Sequence, residues 1–128
     1  MPTTTAAKLL MKSGYRVLLL HPPKGYPEAL GPLPEEVQII TDVEPPVNLV
    51  LLFVDQRSVL DAALPVLAPV LDESTLFWIA YRKGGSKAGT DLNRDRLWEA
   101  LAPWNWTGVT LVALDDRWSA MRFRPTPT

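Results

Sequence analysis

Residues 75–103 read TLFWIAYRKGGSKAGTDLNRDRLWEALAP, and the order of patterns in this stretch decides the fold class. Thr75 to Tyr81 is a continuous apolar run, the mark of a strand covered on both faces. It ends in a glycine-rich turn. Asp91 then stands where a cap starts a helix over Leu92 to Leu101, with Leu97, Ala100 and Leu101 facing inward and Pro103 as its stop. Strand, turn and helix in that order bring backbone N–H groups, lysines and a helix N-terminus to one point, an arrangement suited to holding an anion.

The flanking sequence repeats the strand signal. Tyr15 to Leu20 (YRVLLL) and Leu49 to Val54 (LVLLFV) run apolar without alternation, and Val37 to Ile40 (VQII) reads as a short strand between them. Ser58 to Val70 carries Leu60, Leu64, Leu67 and Leu71 at helical spacing, with Asp55 or Ser58 placed to cap it and Pro65 expected to kink or break it. Ala6 to Lys12 suits a helix stopped by Ser13-Gly14. The prolines of HPPKGYP, residues 21–27, forbid helix there, and Glu28 to Leu30 has room for one turn. Thr41 to Asn48 contains Pro45-Pro46 and is too short for a crossover helix, whose whole connection usually takes at least about 10 residues. Beyond residue 103 the character changes. Val109 to Leu114 and Trp118 to Arg124 are strand patterns joined by Asp115-Asp116-Arg117, which reads as a hairpin. On its second strand Trp118, Ala120, Arg122 and Arg124 share one face, and Ser119, Met121 and Phe123 the other. The expectation is a single three-layer α/β domain over residues 6–124, with a mainly parallel sheet and a C-terminal antiparallel hairpin. Residues 1–5 and 125–128 read as frayed Pro and Thr tails.

Composition sets the outer limits. A chain of 128 residues, 47% hydrophobic, matches one domain with a core of its own. With 13 basic and 14 acidic side chains and a net charge of -1, there is no overall attraction to nucleic acid or an anionic membrane, so charged binding is expected to be local. The absence of cysteine excludes disulfides, thiolate metal sites and cysteine nucleophiles. MPTTTAAKLLMKSG lacks the apolar core of a signal peptide, and no apolar run approaches the roughly 20 residues of a membrane helix. A soluble cytoplasmic protein is the expectation.

Three loops then converge on one rim. If the first, third and fourth strands are parallel, His21, Lys24 and Gly25 follow the first, Asp55, Gln56 and Arg57 the third, and Lys83 to Asp91 the fourth. Open α/β sheets bind ligands in a crevice on that rim. The glycine loop reads either as a plain strand-to-helix connection or as an anion or nucleotide site. Its Gly84-to-Thr90 spacing lacks the lysine a P-loop requires, and HPPKGY after the first strand is not a dinucleotide fingerprint. His21 is the single histidine, and alone it builds no metal site. Asp115 and Asp116 sit in a turn, where carboxylates commonly accept backbone N–H bonds. The tryptophans are best read as core, since no basic stripe accompanies them for stacking on nucleic acid bases.

The segments FWIAYRKGGSKAGTDLNRD, Phe77 to Asp95, and DDRWSAMRF, Asp115 to Phe123, resemble the paired signatures of an uncharacterised bacterial family, domain of unknown function 3052. YRVLLLHPPKGY and LVLLFV are similar to that family's N-terminal half. Lys83, Ser86, Thr90, Asp91 and Leu92 fit its loop signature, and Asp116, Trp118, Ser119, Ala120, Met121 and Arg122 fit its tail signature; Tyr81-Arg82 departs from its proline-lysine step and Gly84-Gly85 adds glycine. The resemblance implies a Rossmann-like domain in which loop and hairpin form one unit. It implies either a buried ion network of Lys83, Asp91, Asp95, Asp116 and Arg122, or an anion held by Lys83, Ser86 and Arg122 with the Thr90 hydroxyl. The resulting expectation is a binding domain without catalysis for a small anionic or nucleotide-like ligand, with His21, Lys24, Lys83, Gly84, Gly85, Ser86, Thr90, Asp91 and Arg122 as its site. Two alternatives stand beside it. One is a shortened methyltransferase-like transferase, against which stand the missing glycine motif and the partial fit of Thr41-Asp42 to an acidic residue after the second strand. The other is an interaction module using Pro103 to Trp106.

Overall fold

The computed structural model describes residues 5–26, 28–71, 74–84 and 89–126. Its strands β1 (Arg16–Leu20), β2 (Gln38–Ile40), β3 (Leu49–Phe53), β4 (Leu76–Arg82), β5 (Trp106–Ala113) and β6 (Trp118–Pro125) form one six-stranded sheet in the order β2-β1-β3-β4-β6-β5. β1 to β4 run parallel, and β6 is antiparallel to both β4 and β5. Every residue of β3 is buried, as a strand with parallel neighbours on both sides and cover on both faces requires. This is the three-layer α/β arrangement with a terminal antiparallel hairpin that the apolar runs predict.

Two cores lie on opposite faces of the sheet. Leu18, Val50, Leu52, Ile79 and Phe123 pack beneath helix α2 (Arg57–Leu67) and helix α3 (Arg94–Leu101), which contribute Leu60, Leu64, Leu67, Leu97 and Leu101. Val17, Leu19, Leu51, Phe53, Trp78 and Ala120 pack on the other face against Leu9, Met11, Tyr26 and Leu30. The Trp78 indole N–H donates to the Leu9 carbonyl at 3.0 Å and so anchors the N-terminal segment to this second core. On β6, Trp118 and Ala120 enter one core and Met121 and Phe123 the other, matching the predicted faces.

The helix termini differ from the sequence expectations. Helix α1 covers only Thr5–Lys8. It closes in a Schellman pattern, with Met11 N–H on Ala6 carbonyl at 3.1 Å, Leu10 N–H on Ala7 carbonyl at 3.0 Å, and Leu10 itself at φ 64 where glycine is usual. Neither Asp55 nor Ser58 caps α2. The Arg57 N–H donates instead to the Asp91 carboxylate at 2.7 Å, so the residue expected to cap α3 caps α2 from across the rim. α3 accordingly starts later and is capped by Asn93, which accepts from Arg96 N–H at 2.9 Å. Pro65 does not end α2: it lies on the exposed side of the helix, which runs on to Leu67. Pro125 belongs to β6 and Thr126 N–H donates to Asn105 carbonyl at 2.7 Å, so the C-terminal segment is paired through 126.

The 41–48 connection, for which no helix was expected, crosses β1 as an extended strap. Val43 and Val47 pack on the α2-side core, and Asn48 closes on Arg16, its side chain accepting from Arg16 N–H at 2.8 Å. The flank of α2 beside it is left open.

Asp91→Ala removes the α2 cap and is expected to cost about 1 kcal/mol, a fall of roughly 3–6 °C in Tm, whereas Asp91→Asn keeps an acceptor and stays near wild type. Thermal unfolding followed by circular dichroism checks both.

Candidate functional site

Because β1 to β4 are parallel and β6 starts where β4 ends, the loops after four strands and the β5–β6 turn meet on one rim of the sheet. The chain leaves β1 for β2 on one side and returns to β3 on the other. That reversal opens a crevice between β1 and β3, the place where open α/β sheets take ligands. Three adjoining depressions form a trough there. The first, about 550 Å³, lies along α2 and is walled by Leu20, Val43, Val59 and Ala62, with His21, Asp42 and Ser58 also lining it. It exists because the strap supplies no helix to cover this side of α2. The second, about 330 Å³, spans the ends of β1 and β3 and is lined by His21, Pro23, Asp55, Arg82 and Trp118. The third, about 410 Å³, is polar and bounded by Lys24, Tyr26, Arg82, Asp115, Asp116 and Arg117. His21 belongs to the first two, and Pro23, Arg82 and Trp118 to the last two, so the three depressions adjoin one another.

The rim loops brace one another. Thr90, buried, donates its hydroxyl to Asp55 carbonyl at 2.5 Å and accepts from Leu92 N–H at 3.1 Å, while the Gln56 amide donates to Gly89 carbonyl at 2.9 Å. Lys83 holds the hairpin turn: its backbone N–H donates to Arg117 carbonyl and its Nζ to Asp115 carbonyl, both at 2.8 Å. Asp115 organises the turn itself, accepting from the Tyr26 hydroxyl at 2.6 Å and from the N–H groups of Arg117 and Trp118 at 2.7 and 2.8 Å. Burial pushes the Asp115 carboxyl up, but the Tyr26 hydroxyl, these two N–H donors and the Lys83 charge together outweigh it and hold the carboxyl below its ordinary value. Tyr26 moves the other way, raised first by burial and then by its hydrogen bond to Asp115. Tyr26 packs tilted against Phe53 and Phe53 edge-on against Trp118, with centroids 4.8 and 5.1 Å apart, and Arg82 lies 5.7 Å over the Trp118 ring.

Of the predicted site residues, His21 and Lys24 line the trough. Lys83, Thr90 and Asp91 serve the bracing just described, and Gly84 turns the chain at φ 96. Gly85 and Ser86 lie outside the described residues. Arg122 pairs with Trp78, four positions along β6 from Trp118, which puts it about 13 Å back from the rim and away from the trough. Among the described residues, no ion pair joins Lys83, Asp91, Asp95, Asp116 and Arg122; the loop and hairpin are tied by Lys83 to backbone carbonyls. Sequence reasoning did not select Tyr26, Arg82, Arg117 and Trp118, although the direction of the hairpin already places the start of β6 beside the end of β4. Trp104 of the Pro103–Trp106 segment is 40% exposed, and Trp106 packs edge-on against Phe77.

No family model matches the chain, and no curated protein matches it in sequence. Solved structures do. An O-methyltransferase family 2 protein from Planctomyces limnophilus DSM 3776, in complex with apigenin, superposes with a TM-score of 0.63 at 12% identity over 98% of this chain and 54% of its own. LepI in complex with SAM gives 0.58 at 16% identity over 94% of this chain and 39% of its own. The DhpI–SAH complex gives 0.58 at 12% identity over 97% and 84%. The fold is that of the Rossmann-like methyltransferases. The chain spans about two fifths of the length of LepI and half that of the O-methyltransferase. No helix among the described residues is long and apolar enough to cross a membrane.

Because the folded Asp115 carboxyl is held below its unfolded value, its contribution is present above about pH 4 and is lost as pH falls through the folded value. The stability gap between wild type and Asp115→Asn, measured by urea unfolding, is expected to be constant from pH 7 to 5 and to shrink below about pH 4.

Proposed function

We propose that this chain binds a nucleoside cofactor of the S-adenosylmethionine class in the apolar end of the rim trough, as a methyltransferase-like domain. The observation that carries this is the position of Asp42 immediately past β2, beside the 550 Å³ groove at the strand-order reversal. In doubly wound sheets a carboxylate in that place accepts from ribose hydroxyls. The groove suits the rest of a nucleoside. Val43, Val59 and Ala62 offer apolar walls to a flat base, and Ser58 and Thr41 offer hydroxyls. From there the trough leads past His21 to Asp55 and Arg82, opposite charges suited to an ammonium and a carboxylate. Bound in this way, such a cofactor supplies an electrophilic methyl group; the residues named here hold and orient it.

The neighbouring folds support the reading, since LepI and DhpI were solved with SAM and SAH. The chain lacks the glycine-rich turn of the usual fingerprint, and its HPPKG loop bends at His21, φ 53, and Gly25, φ 98, instead. In this reading the segments that resemble the signatures of domain of unknown function 3052 build the trough: Thr90 and Asp91 fix its floor and Trp118 forms a wall. Lys83 places one of its ammonium N–H groups on the Asp115 carbonyl, which turns it toward the hairpin.

Isothermal titration with S-adenosylhomocysteine and with adenosine tests the proposal. Both are expected to bind, and Asp42→Asn, an exposed position that leaves the fold intact, is expected to weaken both at least about tenfold, the loss of a charge-assisted hydrogen bond. Absence of binding by either compound, or equal binding by the variant, overturns it.

A further inference from the structure

We infer that the outer edge of β5, with the side of α3 next to it, is an interaction surface that pairs with a second copy of this chain. It is independent of the nucleoside reading, because β5 closes the sheet at the end away from β2 and from the groove beside α2. Among the described residues no strand pairs with that edge. The ladder fixes which groups it presents. Leu114 N–H donates inward to Trp118 carbonyl at 3.0 Å, so alternation along an antiparallel pair turns the N–H and C=O groups of Leu111 and Ala113 outward. Lys8 Nζ reaches the Ala113 carbonyl at 3.4 Å, as an outward group allows, and so covers that end of the edge.

The two borders of the sheet are built differently. β2 is three residues long and is flanked by Glu35, Glu36 and Asp42, the short, charged form that discourages pairing. β5 runs for eight residues, WTGVTLVA, without a charge or a proline. Its irregularity between Gly108 and Thr110 interrupts the ladder but leaves apolar side chains exposed. Val109 and Leu111 are 37% and 44% exposed, and Trp98 of α3 lies beside them at 43%. Gly108 brings the indole in. A Cβ there would stand 3.0 Å from Trp98 Nε1 and 2.7 Å from Met121 Sδ, so the missing side chain lets the ring settle on the strand. Three of the seven large exposed apolar side chains among the described residues thus meet in one patch, whereas such side chains are ordinarily scattered singly.

A second copy is the occupant this surface fits. Outward N–H and C=O groups on one strand match those of an identical strand laid antiparallel across a two-fold axis, and the same patch then meets itself. β5 brings no charge to face its own copy, and a net charge of -1 adds little repulsion between chains. Arg94 stands at the margin of the patch, where contacts of this kind keep their polar residues. Because the paired strands are antiparallel, the two rim troughs open on opposite borders of the joined sheet and neither is covered. The joint uses one strand and one helix, so it belongs to the small, reversible class of interfaces, about 1,200 Å² or less.

Sedimentation velocity of the chain from about 5 to about 500 µM tests this. The wild type is expected to show a reversible monomer–dimer equilibrium. Leu111→Lys and, separately, Val109→Lys set like charges into the joint and are expected to stay monomeric throughout. Both positions are exposed, so each variant is expected to keep the wild-type far-UV circular dichroism and Tm; should one lose its fold, the other decides. Leu33→Lys, a comparably exposed apolar position on the loop before β2, is expected to dimerise as the wild type does. A wild type that is monomeric at the highest concentration overturns the inference, as does a dimer that a folded lysine variant of β5 leaves intact. Equal loss of the dimer in Leu33→Lys overturns it too, by placing the contact elsewhere. So does association that grows past two copies, since a two-fold joint closes at the dimer.

Discussion

The whole arrangement depends on the double-sided burial of Leu49–Phe53. A strand with no exposed residue has to satisfy its backbone through neighbours on both edges, because an unpaired N–H or C=O in that setting costs on the order of 1–3 kcal/mol. β1 and β4 meet that demand in parallel, Val17 to Leu20 on one side and Leu76 to Ala80 on the other. Parallel pairing also settles direction. The segments after all three strands must leave from the same border, and the trough is the space between them.

What keeps that space open is the bracing of one loop by the next. Thr90 on the Asp55 carbonyl, Asp91 on the Arg57 N–H and Gln56 on the Gly89 carbonyl lock the exit of β4 to the exit of β3. Lys83 and Tyr26 then lock β4 and the β1 loop to the hairpin turn through Asp115. Each contact satisfies a backbone or buried polar group with a side chain from a different element. The result is a frame that holds the trough-lining groups Asp42 and His21 without asking them to carry the structure, the division that a preorganised site would need.

The strands were legible because continuous apolar runs of five to seven residues have few other uses, and the hairpin because its second strand alternates faces. Helix starts were less so. A cap supplied by Asp91 to Arg57 spans a separation of 34 residues, and local spacing carries no sign of it. Nor does local spacing show the contacts of Lys83 and Thr90 to neighbouring carbonyls, since lysine and threonine on a glycine-rich turn look alike whether they bind a phosphate or a carbonyl. Arg122 shows a different gap: period-two alternation assigns a face but says nothing about depth along the strand. The groove beside α2 left a visible trace, because the short 41–48 connection already lacked room for a helix.

The placement of β6 between β4 and β5 has a bearing on how the chain is made. β4 pairs only with β3 and with β6, so during synthesis from the N-terminus its outer edge stays unpaired until residues 118–125 have left the ribosome. β5 emerges first and cannot take that edge without displacing its later neighbour. A nascent chain stalled before residue 118 therefore presents a seven-residue, mostly apolar strand, Leu76–Arg82, with one unpaired edge, the kind of edge open to mispairing with other chains.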